Sequence, residues 1–218
     1  MIGDTMTENS HDLFTGDGAG RMDAIAKGPF APIYPVVARQ VIETCGITEG
    51  RCVDVGCGPG HLAMALCSET RLAIDALDPS ADMLAIARRN FQEAGLGGRI
   101  CPVCGDVHDL PYGDGSVDLV VSRGSLFFWD DRVRAFSEIQ RVLRPGGRTF
   151  VGGGFGTAAL KAAITAKMHE IDPEWEEKAA GRLASKNRDA IRRDLERAGI
   201  SACEIRQGEA GFWIVMRG

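Results

Sequence analysis

The sequence predicts an α/β fold built on a doubly wound, mostly parallel sheet with helices on both faces. Three observations carry that prediction. Short apolar runs alternate along the chain with stretches of helical periodicity, the pattern of successive βαβ units. The first run flows into a glycine-rich turn and then into an apolar helix. The second ends on an acid, Asp78, about 20 residues past that turn. Runs this short and this apolar are usually buried on both faces, as parallel strands are.

In chain order, residues 1–20 read as frayed and glycine-rich, and Pro35 opens a helical pattern (Val36, Val37, Val41, Ile42) that ends near Cys45-Gly46. Strands are expected at Cys52–Gly56, Leu72–Asp78, Arg99–Cys104, Val117–Ser122 and Arg148–Gly152. Helices are expected near His61–Ser68, Ser80–Ala94 and Arg132–Leu143, with Ser80 as an N-cap and Gly95 and Pro145-Gly146-Gly147 as stop signals. After the fifth strand the alternation breaks. Thr157–Ile171 reads as a helix, Asp172-Pro173-Glu174 begins a second, and Ser185–Ala198 forms a third that ends at Gly199. Ala202–Gln207 and Phe212–Met216 then read as a hairpin.

Composition bounds the function. The 218 residues carry 25 Lys plus Arg against 30 Asp plus Glu, a net charge of −5, which argues against a nucleic-acid partner. No apolar run approaches the ~18 residues of a spanning helix. The start, MIGDTMTENSHDLF, lacks the basic-then-apolar pattern of a secretory signal. The seven cysteines are odd in number, and several sit in apolar runs such as Arg51-Cys52-Val53. Together these features predict a cytoplasmic protein with reduced thiols. Cys101-Pro102-Val103-Cys104 has the spacing of a metal or redox pair, but no second pair or suitably spaced histidines complete a zinc set, so no metal is expected. The 28 glycines are an excess that needs a location.

Part of that excess lies in Val53-Asp54-Val55-Gly56-Cys57-Gly58-Pro59-Gly60-His61-Leu62-Ala63. Glycines between a buried strand and a helix let the backbone turn sharply and approach a ligand closely. The spacing is Gly-x-Gly-x-Gly. A dinucleotide fingerprint would place its third glycine at position 61, which holds His, and Pro59 removes one N–H from any phosphate cradle. Asp78, at the carboxyl edge of the next strand, is placed to accept hydrogen bonds from both hydroxyls of a ribose.

This stretch resembles the D/E-x-G-x-G-x-G motif of class I S-adenosylmethionine (SAM)-dependent methyltransferases, close to the small-molecule type that includes quinone-biosynthesis enzymes. Three further blocks fit in order: Leu77-Asp78-Pro79-Ser80, Gly105-Asp106-Val107-His108-Asp109-Leu110-Pro111 and Arg141-Val142-Leu143-Arg144-Pro145-Gly146-Gly147. The resemblance implies a seven-stranded sheet whose last strand is antiparallel, inserted by the terminal hairpin. It implies one domain over 1–218, with an N-terminal segment and lid helix (1–48), a SAM-binding core (51–155), a helical cap (157–199) and the hairpin (202–217). Its cofactor would be SAM, its product S-adenosylhomocysteine (SAH), and its partner a small-molecule acceptor met by a monomer or homodimer. Gly56, Gly58 and Gly60 would let the backbone touch the methionine portion and ribose, and Asp54 would approach the methionine ammonium through water. Asp78 with Pro79 would hold the ribose, Met83 would pack nearby, and Asp106 and Val107 would meet adenine. Ser122 completes the implied cofactor set.

Methyl transfer is an in-line displacement that needs alignment and a dry pocket more than an elaborate catalytic apparatus, and a base only when the attacking atom carries a proton. Acceptor contacts are expected from loops at the carboxyl edge of the sheet and from the N-terminal helices. Tyr34 (with Phe30), Arg123 and Trp129 are the candidates. Arg123 would grip an acceptor anion or pair with Asp130 or Asp131. Phe127, Phe128 and Trp129 cannot all face one way, so at least one is expected to wall the pocket while the others enter the core. The run Gly152–Gly156 reads as close approach to a ligand, an anion nest or a hinge. Neither His61 nor His108 reads as a confident base. Three other classes compete: a non-catalytic SAM-fold module, an RNA or protein methyltransferase, and a nicotinamide oxidoreductase. The intact glycines and acids oppose the first, Ser122-Arg123-Gly124 in place of an Asn/Asp-Pro-Pro-Tyr/Phe block opposes the second, and the glycine spacing opposes the third.

Overall fold

The structure, a computed structural model, describes residues 15–177 and 187–218. Helices α1 (Gly16–Lys27) and α2 (Ile33–Cys45) precede strand β1 (Glu49–Val55). Then follow α3 (His61–Glu69), β2 (Arg71–Asp78), α4 (Ala81–Glu93), β3 (Ile100–Cys104) and β4 (Val117–Arg123). A 3-10 turn at Ser125–Phe128 leads to α5 (Arg132–Val142), β5 (Leu143–Gly154) and α6 (Ala158–Ile171). The chain closes with α7 (Arg188–Arg197), β6 (Cys203–Gly208) and β7 (Gly211–Met216).

Among the described residues the strands form one seven-stranded sheet in the order β3-β2-β1-β4-β5-β7-β6. All neighbours are parallel except β7, which runs antiparallel between β5 and β6. Strand alternation sorts the core onto two faces. Cys52, Leu119 and Val121 join α2, α3 and α4 on one side, while Val53, Val120 and Val151 join α5 and α7 on the other. The order reverses between β1 and β4, so their carboxyl ends, Val55 and Arg123, flank the crevice where open α/β sheets bind ligands.

Five sequence expectations change. Positions 16–27, read partly as frayed, form α1, whose first amide Gly16 N–H donates to Asp82 Oδ2 at 2.8 Å; positions 1–14 lie outside the described residues. The second helix starts two residues before Pro35, which therefore sits in its first turn, where a missing N–H costs no intrahelical bond. Leu143 already belongs to β5, and Pro145-Gly146-Gly147 is a bulge within it: Val117 pairs with Leu143 and Leu119 with Arg148. The expected cap is divided. Ile164 and Met168 of α6 join the face packed by α2 and α3, whereas Ile191 and Leu195 of α7 pack with α5. The start of the third post-sheet helix moves from Ser185 to Arg188, capped by Asn187, because the Asn187 side chain accepts from the Asp189 and Ala190 amides. Positions 178–186 lie outside the described residues.

Candidate active site

A cleft of about 440 Å³ opens at the carboxyl ends of β1, β2 and β4, within the size range of small-ligand pockets. Its first half comes from the glycine turn. Gly56 N–H and Cys57 N–H donate to the Leu77 carbonyl at 2.8 and 3.0 Å, which locks the turn onto the end of β2. Asp78 then joins both loops: Oδ2 accepts from Gly58 N–H and Oδ1 from Ser80 N–H, each at 2.9 Å. Burial raises the Asp78 carboxyl above its ordinary range, and the two amide bonds oppose that rise. Each carboxylate oxygen keeps a free acceptor position, and Asp78 lines the cleft.

The three turn glycines have different physical reasons. A Cβ on Gly56 would collide with the Ser125 side chain, and one on Gly60 with the Phe91 ring. At Gly58 nothing lies within 4 Å, and its φ of +52° with its place on the cleft wall leaves bare backbone facing open space.

Pro79, Asp106 and Val107 also line this half. Asp106 accepts from His108 N–H at 2.8 Å and contacts the His108 ring. Burial pushes its carboxyl up, but the two His108 bonds outweigh that and hold it below the ordinary value.

Five expected residues do not line the cleft. Gly60 and Met83 are buried behind it, Met83 beneath the Ser80 cap. Ser122 is fully buried, its hydroxyl 2.6 Å from Ser125 Oγ. Tyr34 stacks at 5.2 Å on His61 and lies on the far side of Arg123. Asp54 is 1% exposed, its Oδ2 has no hydrogen-bond partner, and its carboxyl is pushed up to about 7 by burial and by the neighbouring Asp78 charge. An orphaned buried carboxylate oxygen on Asp54, a glycine at 58 with no side chain to fill the cleft, and spare acceptors on Asp78 fit a cationic, ribose-bearing ligand.

The second half is aromatic. Phe30, Phe155 and Trp175 meet edge to face, with centroids 6.0 to 6.3 Å apart, and all three line the cleft. Arg123 lies against Phe30 of this cluster, its guanidinium carbon 5.4 Å from the centres of both Phe30 and Tyr34. It does not pair with Asp130 or Asp131. Its Nε donates instead to the Gly154 carbonyl at 3.1 Å, and Asp131 caps α5. Phe127, Phe128 and Trp129 all reach the cleft, because the 3-10 turn winds them around one corner of it; Trp129 also packs on Phe136.

The glycines of β5 serve chain packing rather than an anion nest. A Cβ on Gly154 would run into Gly211 and the Ala210 carbonyl, and one on Gly153 into the Phe127 ring. These glycines let β7 and the Phe127 turn close on the strand.

Sequence reading missed several residues because their partners are remote. Ser125 Oγ donates to the Val55 carbonyl at 2.9 Å and accepts from Trp129 Nε1 at 3.2 Å. Asp23 on α1 accepts from Asn90 (2.9 Å), Lys27 (2.9 Å) and Arg89 (3.1 Å) and contacts His61 at 3.1 Å, while Asn90 also donates to the Pro59 carbonyl. That network pins α1, whose Met22 walls the cleft, to the glycine turn. Arg141 ties Glu138 and Asp114 to the carbonyls of Leu110 and Tyr112, fixing the loop that carries Asp106. A polar residue inside an apolar helical pattern, as Asp23 and Asn90 are, was the available signal. Among the described residues, no group of three or more His, Cys, Asp or Glu side chains is arranged to hold a metal ion.

Residues 53–151 match a sequence family described as a methyltransferase domain. The chain is 33% identical over 182 residues to a malonyl-[acyl-carrier protein] O-methyltransferase of Geobacter sulfurreducens, covering 79% of this chain and 66% of that protein. It is 33% identical over 121 residues to methyltransferase GfsG of Streptomyces halstedii, covering 55% of this chain but 44% of that protein. The chain thus spans about half to two thirds of the length of such curated relatives. A crystal structure from Methanococcus maripaludis, assigned to the SAM-dependent methyltransferases, superposes with a TM-score of 0.90 at 45% identity, covering 94% of this chain and 93% of the other. With its glycine turn, its Asp78 and a sheet ending in an inserted antiparallel strand, this chain belongs to the class I SAM-dependent methyltransferases, whose cofactor is SAM.

Proposed function

We propose that this protein methylates a small-molecule acceptor held in the aromatic half of the cleft. One observation carries the reading: Gly58 and Asp78 frame open space that runs directly into the chamber of Phe30, Phe155 and Trp175. When bound, SAM supplies an electrophilic methyl whose C–S bond breaks with its electron pair passing to sulfur, leaving SAH, as the acceptor atom takes the methyl. Asp78 takes the ribose hydroxyls on its free acceptor positions. Gly58 gives backbone access, Asp54 offsets the methionine ammonium through water, and Asp106 with the Val107 amide meets adenine. Gly60, Met83 and Ser122 support that wall from behind. Trp129 and the aromatic chamber exclude water, which strengthens every polar contact inside. Burial raises the Tyr34 hydroxyl above the ordinary tyrosine range, so Tyr34 stays protonated and positions Arg123 rather than acting as a base.

The same reading assigns the elements to one methyltransferase domain acting on free metabolites in the cytoplasm as a monomer or homodimer. The net charge of −5 supports an acceptor that is not a nucleic acid. Among the described residues no helix is long and apolar enough to cross a membrane.

Calorimetry is expected to give micromolar-order binding of both SAM and SAH. Asp78→Ala should weaken SAM at least tenfold, since hydrogen bonds to a charged group are worth about 1.5–3 kcal/mol each. Labelled SAM with metabolite extracts then identifies the acceptor by mass spectrometry. Absence of heat with either ligand at saturation overturns the reading.

A further inference from the structure

We infer that the acceptor is a small carboxylic acid with an apolar body, its carboxylate held by Arg123; the inference rests on the methyl-transfer reading above and deepens it. Arg123 differs from Arg99, Arg132 and Arg141, whose guanidinium ends are tied to protein acceptors; half-buried Arg148 also lacks such acceptors among the described residues, but it lies outside this cleft. Arg99 donates to three backbone carbonyls, those of Cys67, Thr70 and Leu72. Arg132 pairs with Asp194, and Arg141 with Glu138 and Asp114. Arg123 has one hydrogen bond, from Nε to the Gly154 carbonyl, and no ion pair among the described residues. Its two terminal nitrogens meet no acceptor among the described residues, and the residue lines the cleft. Desolvation acts against its charge, yet a guanidinium stays protonated, so its half-buried side chain presents to the cleft a positive charge that an anion would complete.

The surroundings define that anion. Arg123 brings a single positive charge, and its planar fork matches a carboxylate bidentately. Asp78, Asp106 and Asp130 line the same cleft and repel a second negative charge, which favours a monoanion over a phosphate dianion. Phe30, Phe155 and Trp175 supply apolar walls for the rest of the molecule. They are not a cage for an ammonium group, because the cation over Phe30 and Tyr34 is already Arg123. The Gly154 carbonyl and the two rings fix the guanidinium before any ligand arrives, so little ordering remains to oppose binding.

The test uses binding rather than turnover. SAH-saturated full chain is titrated calorimetrically with benzoate, phenylacetate and hexanoate, with the matching amides, and with phenyl phosphate. At least one carboxylate is expected to bind 30-fold or more tightly than its own amide and more tightly than phenyl phosphate. Arg123→Gln should abolish that preference while leaving SAH affinity within threefold of wild type. Equal affinity for acid and amide, no carboxylate binding, preference for phenyl phosphate, or a preserved preference in a folded Arg123→Gln variant overturns the inference. If Arg123→Gln does not fold, the acid-against-amide comparison on the wild type decides. Failure of SAH itself to bind overturns the methyltransferase reading and this inference with it, whereas SAH binding without a carboxylate preference overturns this inference alone.

Discussion

The Ser125 hydroxyl donates to the Val55 carbonyl at 2.9 Å while its Cβ occupies the space that a side chain on Gly56 would need. The cofactor turn and the exit of β4 are therefore fitted to each other before any ligand binds. Gly56→Ala adds a left-handed backbone penalty to that collision and should destabilise the fold by about 2–4 kcal/mol. Gly58→Ala meets no protein atom and should cost about 1 kcal/mol of stability while weakening SAM more than tenfold. Urea denaturation paired with calorimetry separates the two. Equal stability losses would remove the distinction drawn between these glycines.

Asp54 gives SAM binding a pH dependence. Its folded carboxyl is pushed up to about 7 by burial and Asp78, well above the unfolded carboxylate value. The stability it lends the free protein is thus fully present below about pH 4 and is lost as pH rises through 7. A bound ammonium reverses the preference by favouring the carboxylate, so binding releases a proton at acid pH. SAM affinity should rise about twentyfold from pH 5.5 to 7.5 and then level off. Asp54→Asn should flatten the profile, and a profile unchanged in that variant would separate Asp54 from the ligand.

The Asp23–His61 contact predicts how acid loosens α1. Burial lowers the His61 ring below its ordinary value, against the pull of Asp23. A depressed histidine contributes stability that is present above about pH 6.5 and is lost as pH falls through its folded value. The thermal midpoint of the wild type should therefore fall relative to that of His61→Gln between pH 7.5 and 5.5, a comparison in which the opposing Asp54 contribution cancels. Asp23→Ala should destabilise by about 2–4 kcal/mol at any of these pH values, since Lys27, Arg89 and Asn90 lose a shared acceptor. A difference in midpoint between wild type and His61→Gln that does not change with pH would count against the His61 argument.

Arg141 tests the adenine side from a distance. It touches no cleft residue, yet its contacts to Leu110, Tyr112, Asp114 and Glu138 hold the loop behind Asp106. Arg141→Ala should destabilise by about 1–3 kcal/mol and weaken SAM severalfold. Hydrogen exchange should show faster opening at residues 105–114 while the β1 amides remain protected.

What the sequence made legible was local. The glycine turn, Asp78 and the Ser80 cap are written within a few residues of where they act, so periodicity and spacing suffice. The Thr157 and Ser80 caps follow the same logic, each hydroxyl accepting an amide three residues ahead. Ser125, Asp23 and the Phe30–Phe155–Trp175 cluster are different, because their meaning depends on partners brought together only by the folded sheet. Asp23 reaches Asn90 across 67 positions, and Ser125 reaches Val55 across 70. The β5 glycines misled for the same reason: a close approach was legible, but not that the approaching backbone was β7.

The two halves of the cleft draw on different parts of the chain. Val55, Gly58, Asp78, Asp106 and Val107 all fall inside the segment 53–151 shared with the methyltransferase family. Phe30, Phe155 and Trp175, the aromatic wall, all fall outside it, whereas Arg123 and Trp129 fall inside. The aromatic wall is therefore held by the N-terminal helices and the chain after β5, so substitutions at Phe30, Phe155 or Trp175 should reshape the far end of the cleft while leaving the glycine turn and Asp78 untouched.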